Sequence, residues 1–259
     1  MQKITKSWLR GALLLLLLPG ISNAATTFDA GSGSNSGGGA NTTSHSHTTG
    51  TGATIMTMGV TLAESSSFDA GTISTLTYGA TNVLTTGTLI TSRTSNGSAI
   101  KQYVYCLDSP AVGAATASLA STGATGGNYT VALSVMTFIG STTCSGLTNF
   151  ASASSTDGTG TTFSATVNGV ASTSLVGDVV CSGTDLVVGA SQTNRASADV
   201  GSNSCAARGE STQLGSTETN AVMSWTGTND WWSLIAYEVP QAGGGGGPDT
   251  KPFYKRRIR

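Results

Sequence analysis

Residues 53–62 read ATIMTMGVTL, and this stretch decides the fold class of the 259-residue protein. Most of its apolar side chains share one face and are Met56, Met58, Val60 and Leu62, whereas Ile55 lies on the other face. The opposite face is mostly small or polar, as at Thr57. A period of two residues places alternate side chains on opposite faces of an extended chain. The stretch therefore predicts a β-strand whose methionine-rich face lies in a core.

Comparable strand signals recur along the chain, separated by Gly, Asn or Asp turn signals. They lie at residues 73–92, 99–107, 129–139, 161–167, 174–181, 185–191, 221–225 and 231–239. No stretch shows a sustained helical period, so the helices of a parallel α/β fold are not predicted. Many short strands with Gly-rich turns are typical of a sandwich or barrel. We predict an all-β fold, an antiparallel and jelly-roll-like β-sandwich that forms a single domain over residues 25–239.

The N-terminal segment has the three parts of a secretory signal peptide. Its positive charges are Lys3, Lys6 and Arg10, and residues 11–18 form a short apolar run. The small residues Ser22 and Ala24 precede a cleavage position. The segment predicts a signal peptide over residues 1–24 and an extracellular or cell-surface location. No later stretch approaches about 20 continuous apolar residues, so no transmembrane helix is predicted.

Charge is unevenly distributed between the predicted domain and the C-terminal end. Residues 25–247 contain four basic residues against twelve acidic ones. Such a domain repels phosphates, so nucleic acid is not an expected partner. Residues 240–259 are interpreted as a Gly-rich linker and a basic tail. The tail residues expected to contact an anionic surface are Lys255, Arg256, Arg257 and Arg259.

Two further features concern chain flexibility and cross-links. The Gly/Ser-rich residues 31–42 predict a flexible loop. The cysteines that follow the signal peptide are Cys106, Cys144, Cys181 and Cys205. An even number in an exported protein predicts two disulfides, for which three pairings exist. We favour Cys106–Cys144 with Cys181–Cys205, the two short loops. The spacing lacks the paired cysteines of zinc motifs, so no metal site is predicted.

The order of several short motifs resembles a β-sandwich module found in secreted and surface proteins of bacteria. The motifs that carry the resemblance are SHTTGTGATIMTMGVTL, TLTYGATNVL, QYVYCLDSPAVG, DLVVGAS and AVMSWT followed by WWSLIAYEV. They span most of residues 27–239. The resemblance implies the fold and an exported location, and no activity. This chain departs from the module in its four cysteines and in the Trp231–Trp232 pair.

Few residues suit catalysis. A nucleophilic hydrolase needs a histidine beside Ser or Cys, and the only histidines are His45 and His47 in a Ser/Thr/Gly-rich segment. They share a face if the segment is extended, but two ligands do not complete a metal site. The acidic residues are scattered, and those such as Asp108 and Asp178 are expected at turns. A glycoside hydrolase or a calcium site in the loops has no supporting motif.

The closing tryptophans offer a candidate for ligand binding. Adjacent strand residues point to opposite faces, so Trp231 and Trp232 cannot both face one core. Trp231 shares a face with Ile235 and is the expected core residue. Trp232 is then exposed beside Asn229 and Asp230, where an indole suits stacking on a sugar ring. Plain packing of Trp232 under a loop is the alternative.

These observations predict a secreted or cell-surface module without catalytic activity, cofactor or metal. Its expected partner is a glycan or an extracellular matrix polymer, with Trp232, Asn229 and Asp230 as ligand-binding residues. One alternative is a structural or adhesive subunit that assembles with protein partners through sheet edges or the basic tail. A glycoside hydrolase is the third candidate.

Overall fold

The computed structural model describes residues 25–36, 39–64, 69–95, 99–125, 129–155, 161–182, 186–199, 207–214, 220–227 and 232–243. Their regular secondary structure is almost entirely β-strand. No helix among them is long and apolar enough to span a bilayer. The predicted signal peptide and the predicted tail residues Lys255, Arg256, Arg257 and Arg259 lie outside the described residues.

The first half of the chain forms two antiparallel sheets. Its elements are β1 (Thr27–Asn35), β2 (Thr42–Thr49), β3 (Ala53–Ala63), β4 (Thr72–Tyr78), β5 (Thr81–Asn82), α1 (Val83–Thr86), β6 (Thr88–Ser95), β7 (Ile100–Asp108), β8 (Gly113–Thr122) and β9 (Thr130–Ile139). The first large sheet has the strand order β1-β9-β3-β7-β6. The first small sheet has the order β2-β8-β4-β5.

The second half forms two further antiparallel sheets, and a 3-10 turn (Cys144–Gly146) precedes it. Its strands are β10 (Phe150–Ser155), β11 (Thr162–Asn168), β12 (Leu175–Ser182), β13 (Val187–Val188), β14 (Thr193–Asp199), β15 (Ala207–Leu214), β16 (Asn220–Thr226) and β17 (Trp232–Val239). The second large sheet has the order β10-β17-β12-β15-β14. The second small sheet has the order β11-β16-β13.

The two halves have the same topology. When the strands of each half are counted along the chain, leaving out the two-residue β5, both large sheets have the order 1-8-3-6-5. Both small sheets contain the order 2-7-4. These are the connections of an eight-stranded jelly roll, with the fifth strand placed beside the sixth. The predicted fold class is therefore confirmed, and the jelly-roll order occurs twice.

The four sheets stack in layers, because the central strands of each large sheet are buried on both faces. The core between the first large and first small sheets includes Met58 and Leu119. The core between the two large sheets includes Phe138 and Tyr237. The core between the second large and second small sheets includes Leu234 and Phe163. The two jelly rolls thus share the middle core.

A disulfide closes the segment that joins the halves. Cys106 on β7 is bonded to Cys144, which precedes β10, and both side chains lie in the middle core. This pairing confirms the prediction for these two cysteines. Cys181 on β12 is also disulfide-bonded. Its predicted partner, Cys205, lies outside the described residues.

The prediction of a flexible loop over residues 31–42 is wrong for residues 31–35 and for Thr42, the first residue of β2. Gly31 to Asn35 belong to β1 and pair with Met136 to Ala132 of β9. The small residues serve packing, since a Cβ atom at Gly31 would lie 2.8 Å from the carbonyl oxygen of Arg195 on β14. Residues 37 and 38 lie outside the described residues.

Two arginines join the large sheets in a reciprocal way. Arg195 on β14 places its guanidinium 3.9 Å from the ring centroid of Phe28 on β1. Arg93 on β6 donates from Nη1 to Ser152 Oγ on β10 over 2.9 Å. Strands β6 and β14 are equivalent in the two halves, and so are strands β1 and β10. The contact of β6 with β10 is therefore the counterpart of the contact of β14 with β1.

Candidate functional site

Trp232 does not form the predicted exposed platform. Only 9% of its surface is exposed, and its ring stacks on that of Phe163 with centroids 5.0 Å apart. The predicted exposure is wrong because both faces of β17 are covered. Ile235 faces the first large sheet, whereas Trp232 faces the second small sheet. The neighbouring candidates Asn229 and Asp230 lie outside the described residues, as does Trp231.

Trp225 and Asp178 form a buried polar pair in the same part of the molecule. The indole Nε1 donates to Asp178 Oδ2 over 2.6 Å, and both residues are fully buried. Asp178 was expected at a turn, but it lies within β12. A buried carboxylate needs hydrogen-bond donors, and the indole supplies one. The pair therefore serves the packing of the second half.

Both histidines connect the edges of the first two sheets. They lie on β2, at the edge of the first small sheet, and their side chains reach β1, at the edge of the first large sheet. His47 Nδ1 lies 2.7 Å from Ser32 Oγ, and His45 Nδ1 lies 2.9 Å from Ser34 Oγ. These side-chain hydrogen bonds link two strands that belong to different sheets.

The electrostatics of this histidine pair favour the neutral forms. Burial and the neighbouring His47 lower the pKa of His45 to about 4. Burial also lowers the pKa of His47, against the opposing effect of the Asp29 carboxylate. Within the described ranges, no group of three or more His, Cys, Asp or Glu side chains is arranged to hold a metal ion. The histidines share a face, as predicted, and that face is used to close the sandwich.

A pair of partly exposed aromatic rings lies on β7, near the edge of the first large sheet. Tyr103 and Tyr105 pack against the first core, with ring centroids 6.3 Å apart and ring planes inclined by 30°. We define the tyrosine ledge as these two residues with their neighbours on the same face. Its members are Asp69, Leu89, Ser92, Thr94, Lys101, Tyr103 and Tyr105.

Strand pairing explains why the ledge is open. Tyr105 lies between Met58 of β3 and Leu89 of β6, and paired residues of neighbouring strands share a face. Met58 is fully buried under the first small sheet, whereas Leu89 is 48% exposed. Tyr103 likewise lies between buried Val60 and exposed Ser92. The tyrosines therefore mark the boundary between the core and the solvent.

An ion pair between Lys101 and Asp69 lies at one end of the ledge. The Lys101 ammonium contacts Asp69 Oδ1 and donates to the carbonyl oxygen of Gly71 over 2.7 Å. The Lys101 side chain is 12% exposed, but that of Asp69 is 49% exposed. The hydrogen bonds from Lys101 and from the Gly71 amide lower the pKa of Asp69. The carboxylate is thus ionised and open to solvent.

The tyrosine hydroxyls are neutral donors. Burial raises the pKa of Tyr103, and the negative charge of Asp69 adds to this effect. Burial and the neighbouring Tyr103 also raise the pKa of Tyr105. Neither hydroxyl has a hydrogen-bond partner among the residues that the structure describes. The ledge thus offers two ring surfaces, two free hydroxyls and one carboxylate.

Sequence reasoning missed this surface, although a signal for it was present. Lys101, Tyr103 and Tyr105 occupy alternate positions, which predicts that they share one face of a strand. The sequence does not say whether a facing sheet covers that face.

No protein-family model, curated protein sequence or solved structure matches the chain. The resemblance to an exported bacterial β-sandwich module therefore stays a prediction.

Proposed function

We propose that the protein is an exported, non-catalytic module that binds a glycan or matrix polymer through the tyrosine ledge. The observation that carries this proposal is the pair of partly exposed rings of Tyr103 and Tyr105, held on a strand of the first large sheet. Aromatic rings offer apolar area to the apolar faces of sugars, and hydroxyls at their tips bind polar groups. The N-terminal sequence and the disulfide bonding support export.

The structure supports glycan binding better than it supports assembly with protein partners through sheet edges. β1, β6 and β14 are edge strands of the large sheets, and the pairing of each is interrupted by a register shift. Bulges of this kind bend an edge and hinder the addition of another strand. The fourth edge, β10, is regular but only 6 residues long.

The proposal also ranks above a nucleophilic hydrolase. Such an enzyme needs a histidine that is free to accept a proton from its nucleophile. Both histidines are instead occupied in joining β1 to β2.

Binding to a panel of soluble and insoluble polysaccharides tests the proposal. The oxidised protein is compared with the variant Tyr103→Ala/Tyr105→Ala. The matched control is Phe150→Ala, which removes a 47% exposed ring from β10, outside the ledge. We expect binding to be lost in the double variant and kept in the control, with thermal unfolding showing that both are folded. Absence of binding by the unmodified protein to the whole panel would refute a glycan-binding function.

A further inference from the structure

We propose that the tyrosine ledge selects a neutral, extended oligosaccharide of at least two pyranose units and rejects anionic glycans. This inference rests on the proposed function and adds the class of ligand. Asp69 decides the charge of the ligand, and the two tyrosines decide its minimum length.

One oxygen of the Asp69 carboxylate is available to accept hydrogen bonds from a ligand. Oδ1 contacts Lys101 and accepts from the Gly71 amide over 2.8 Å. Oδ2 has no partner among the residues that the structure describes. An ionised oxygen accepts hydrogen bonds and donates none, so it matches sugar hydroxyls.

The same charge acts against uronate and sulfate groups. Asp69 contacts Lys101, which neighbours Tyr103 on the same face of β7, and its negative charge also raises the pKa of the Tyr103 phenol. A ligand stacked on Tyr103 therefore lies within range of this charge. Like charges brought together at a binding surface are disfavoured, and the excess of acidic residues in 25–247 acts in the same direction.

Lys101 does not offset this preference, because its ammonium is already committed. It contacts Asp69 and the Gly71 carbonyl group, and its side chain is only 12% exposed. Lys101 is a positioning residue that orients the carboxylate.

The ring geometry sets the extent of the ligand. The centroids of Tyr103 and Tyr105 are 6.3 Å apart, so a ligand that contacts both rings spans at least this distance. A pyranose ring is similar in size to a phenol ring, so both tyrosines are used only by a chain of two or more units. The exposed hydroxyl residues Ser92 and Thr94 of β6 run beside the two tyrosines and suit the polar rim of a sugar chain.

A matched pair of ligands tests the inference by titration calorimetry. β-1,4-mannohexaose and β-1,4-hexamannuronate differ in the carboxylate at each sugar, and cellohexaose serves as a second neutral chain. We expect the neutral chains to bind and the hexamannuronate to bind roughly tenfold more weakly or worse, since like charges meet at the ledge.

The variant Asp69→Asn isolates the role of the carboxylate. It should weaken the binding of the neutral chains by up to about tenfold, since a neutral amide oxygen replaces the charged acceptor. It should also reduce the difference in affinity between mannohexaose and hexamannuronate. If the variant showed the same difference in affinity as the unmodified protein, this result would contradict the role of Asp69 in rejecting anionic glycans.

The tyrosine variants separate stacking from other contributions. Tyr103→Ala and Tyr105→Ala should each weaken cellohexaose about tenfold, whereas Tyr103→Phe should retain most of the affinity because the ring is kept. Equal binding of hexamannuronate and mannohexaose would overturn the inference and leave glycan binding standing. Failure of all glycans, polysaccharides included, would overturn the proposed function itself.

Discussion

The hydroxyl groups of Thr57 and Tyr237 lie 2.9 Å apart, although 180 residues separate them in the chain. Thr57 belongs to the first large sheet and Tyr237 to the second, and both are fully buried. The contact therefore joins the two jelly rolls through the middle core. The backbone at Gly177 makes room for the Tyr237 ring, because a Cβ atom there would lie 2.9 Å from the ring.

A double-mutant cycle on this contact measures how strongly the halves are coupled. Thr57→Val and Tyr237→Phe should each lower the free energy of unfolding by about 1 kcal/mol, since each removes one partner of a buried hydrogen bond. The double variant should lose less than the sum of the two single variants. Urea denaturation provides the free energies. Strict additivity would show that the two hydroxyls do not interact.

Stability should depend on pH through the two histidines. Their pKa values lie below the value of about 6.5 expected for the unfolded chain, and that of His45 is about 4. The unfolded state therefore binds more protons, and the free energy of unfolding should fall as the pH is lowered from about 6.5 towards 4. Urea midpoints measured across this range check the expectation. The variant His45→Gln/His47→Gln should show a flatter profile, and an equally steep one would contradict the assignment.

Trp232 should behave as a core residue. Trp232→Ala removes the ring that stacks on Phe163 and should cost about 3–5 kcal/mol of stability, measured by urea denaturation. Trp232→Phe should cost much less, because it keeps a ring in the same core. Where the variant stays folded, its affinity for cellohexaose should equal that of the unmodified protein. A selective loss of affinity without a loss of stability would show that the indole contacts ligand.

The disulfide Cys106–Cys144 closes a loop with a sequence separation of 38. Replacing both cysteines with alanine should lower the free energy of unfolding by about 4 kcal/mol in the chain-entropy model. Thermal unfolding of the variant beside the oxidised protein gives the comparison. An unchanged stability would mean that the segment between the halves is held by its packing and not by the bond.

The strands could be predicted from the sequence because a period of two is a local property. The alternation places Met56 and Met58 in a core and on the opposite face from Thr57, and the structure agrees. It does not predict that the Thr57 face is buried as well. Small and polar residues on one face are typical of solvent exposure, but here they face a second large sheet. Pairing between distant strands, which creates that sheet, leaves no local signal.

The wrong prediction that Trp232 is exposed has the same origin. Adjacent residues of β17 point to opposite faces, but the exposure of Trp232 was predicted for a protein with one core. The structure has a core on each side of the second large sheet, so Trp232 and Ile235 are both buried. The tyrosine ledge was missed for the reverse reason. The sequence shows the alternating face of Tyr103 and Tyr105, but it does not show that no facing sheet among the described residues covers that face.

The repeated strand order makes this molecule comparable to a homodimer whose two subunits share one polypeptide. In a symmetric dimer every substitution appears twice, so a surface feature on one subunit also appears on the other. A single chain removes that constraint. The first jelly roll can then carry Tyr103 and Tyr105 on one face of its large sheet, while the second jelly roll covers the opposite face of that sheet.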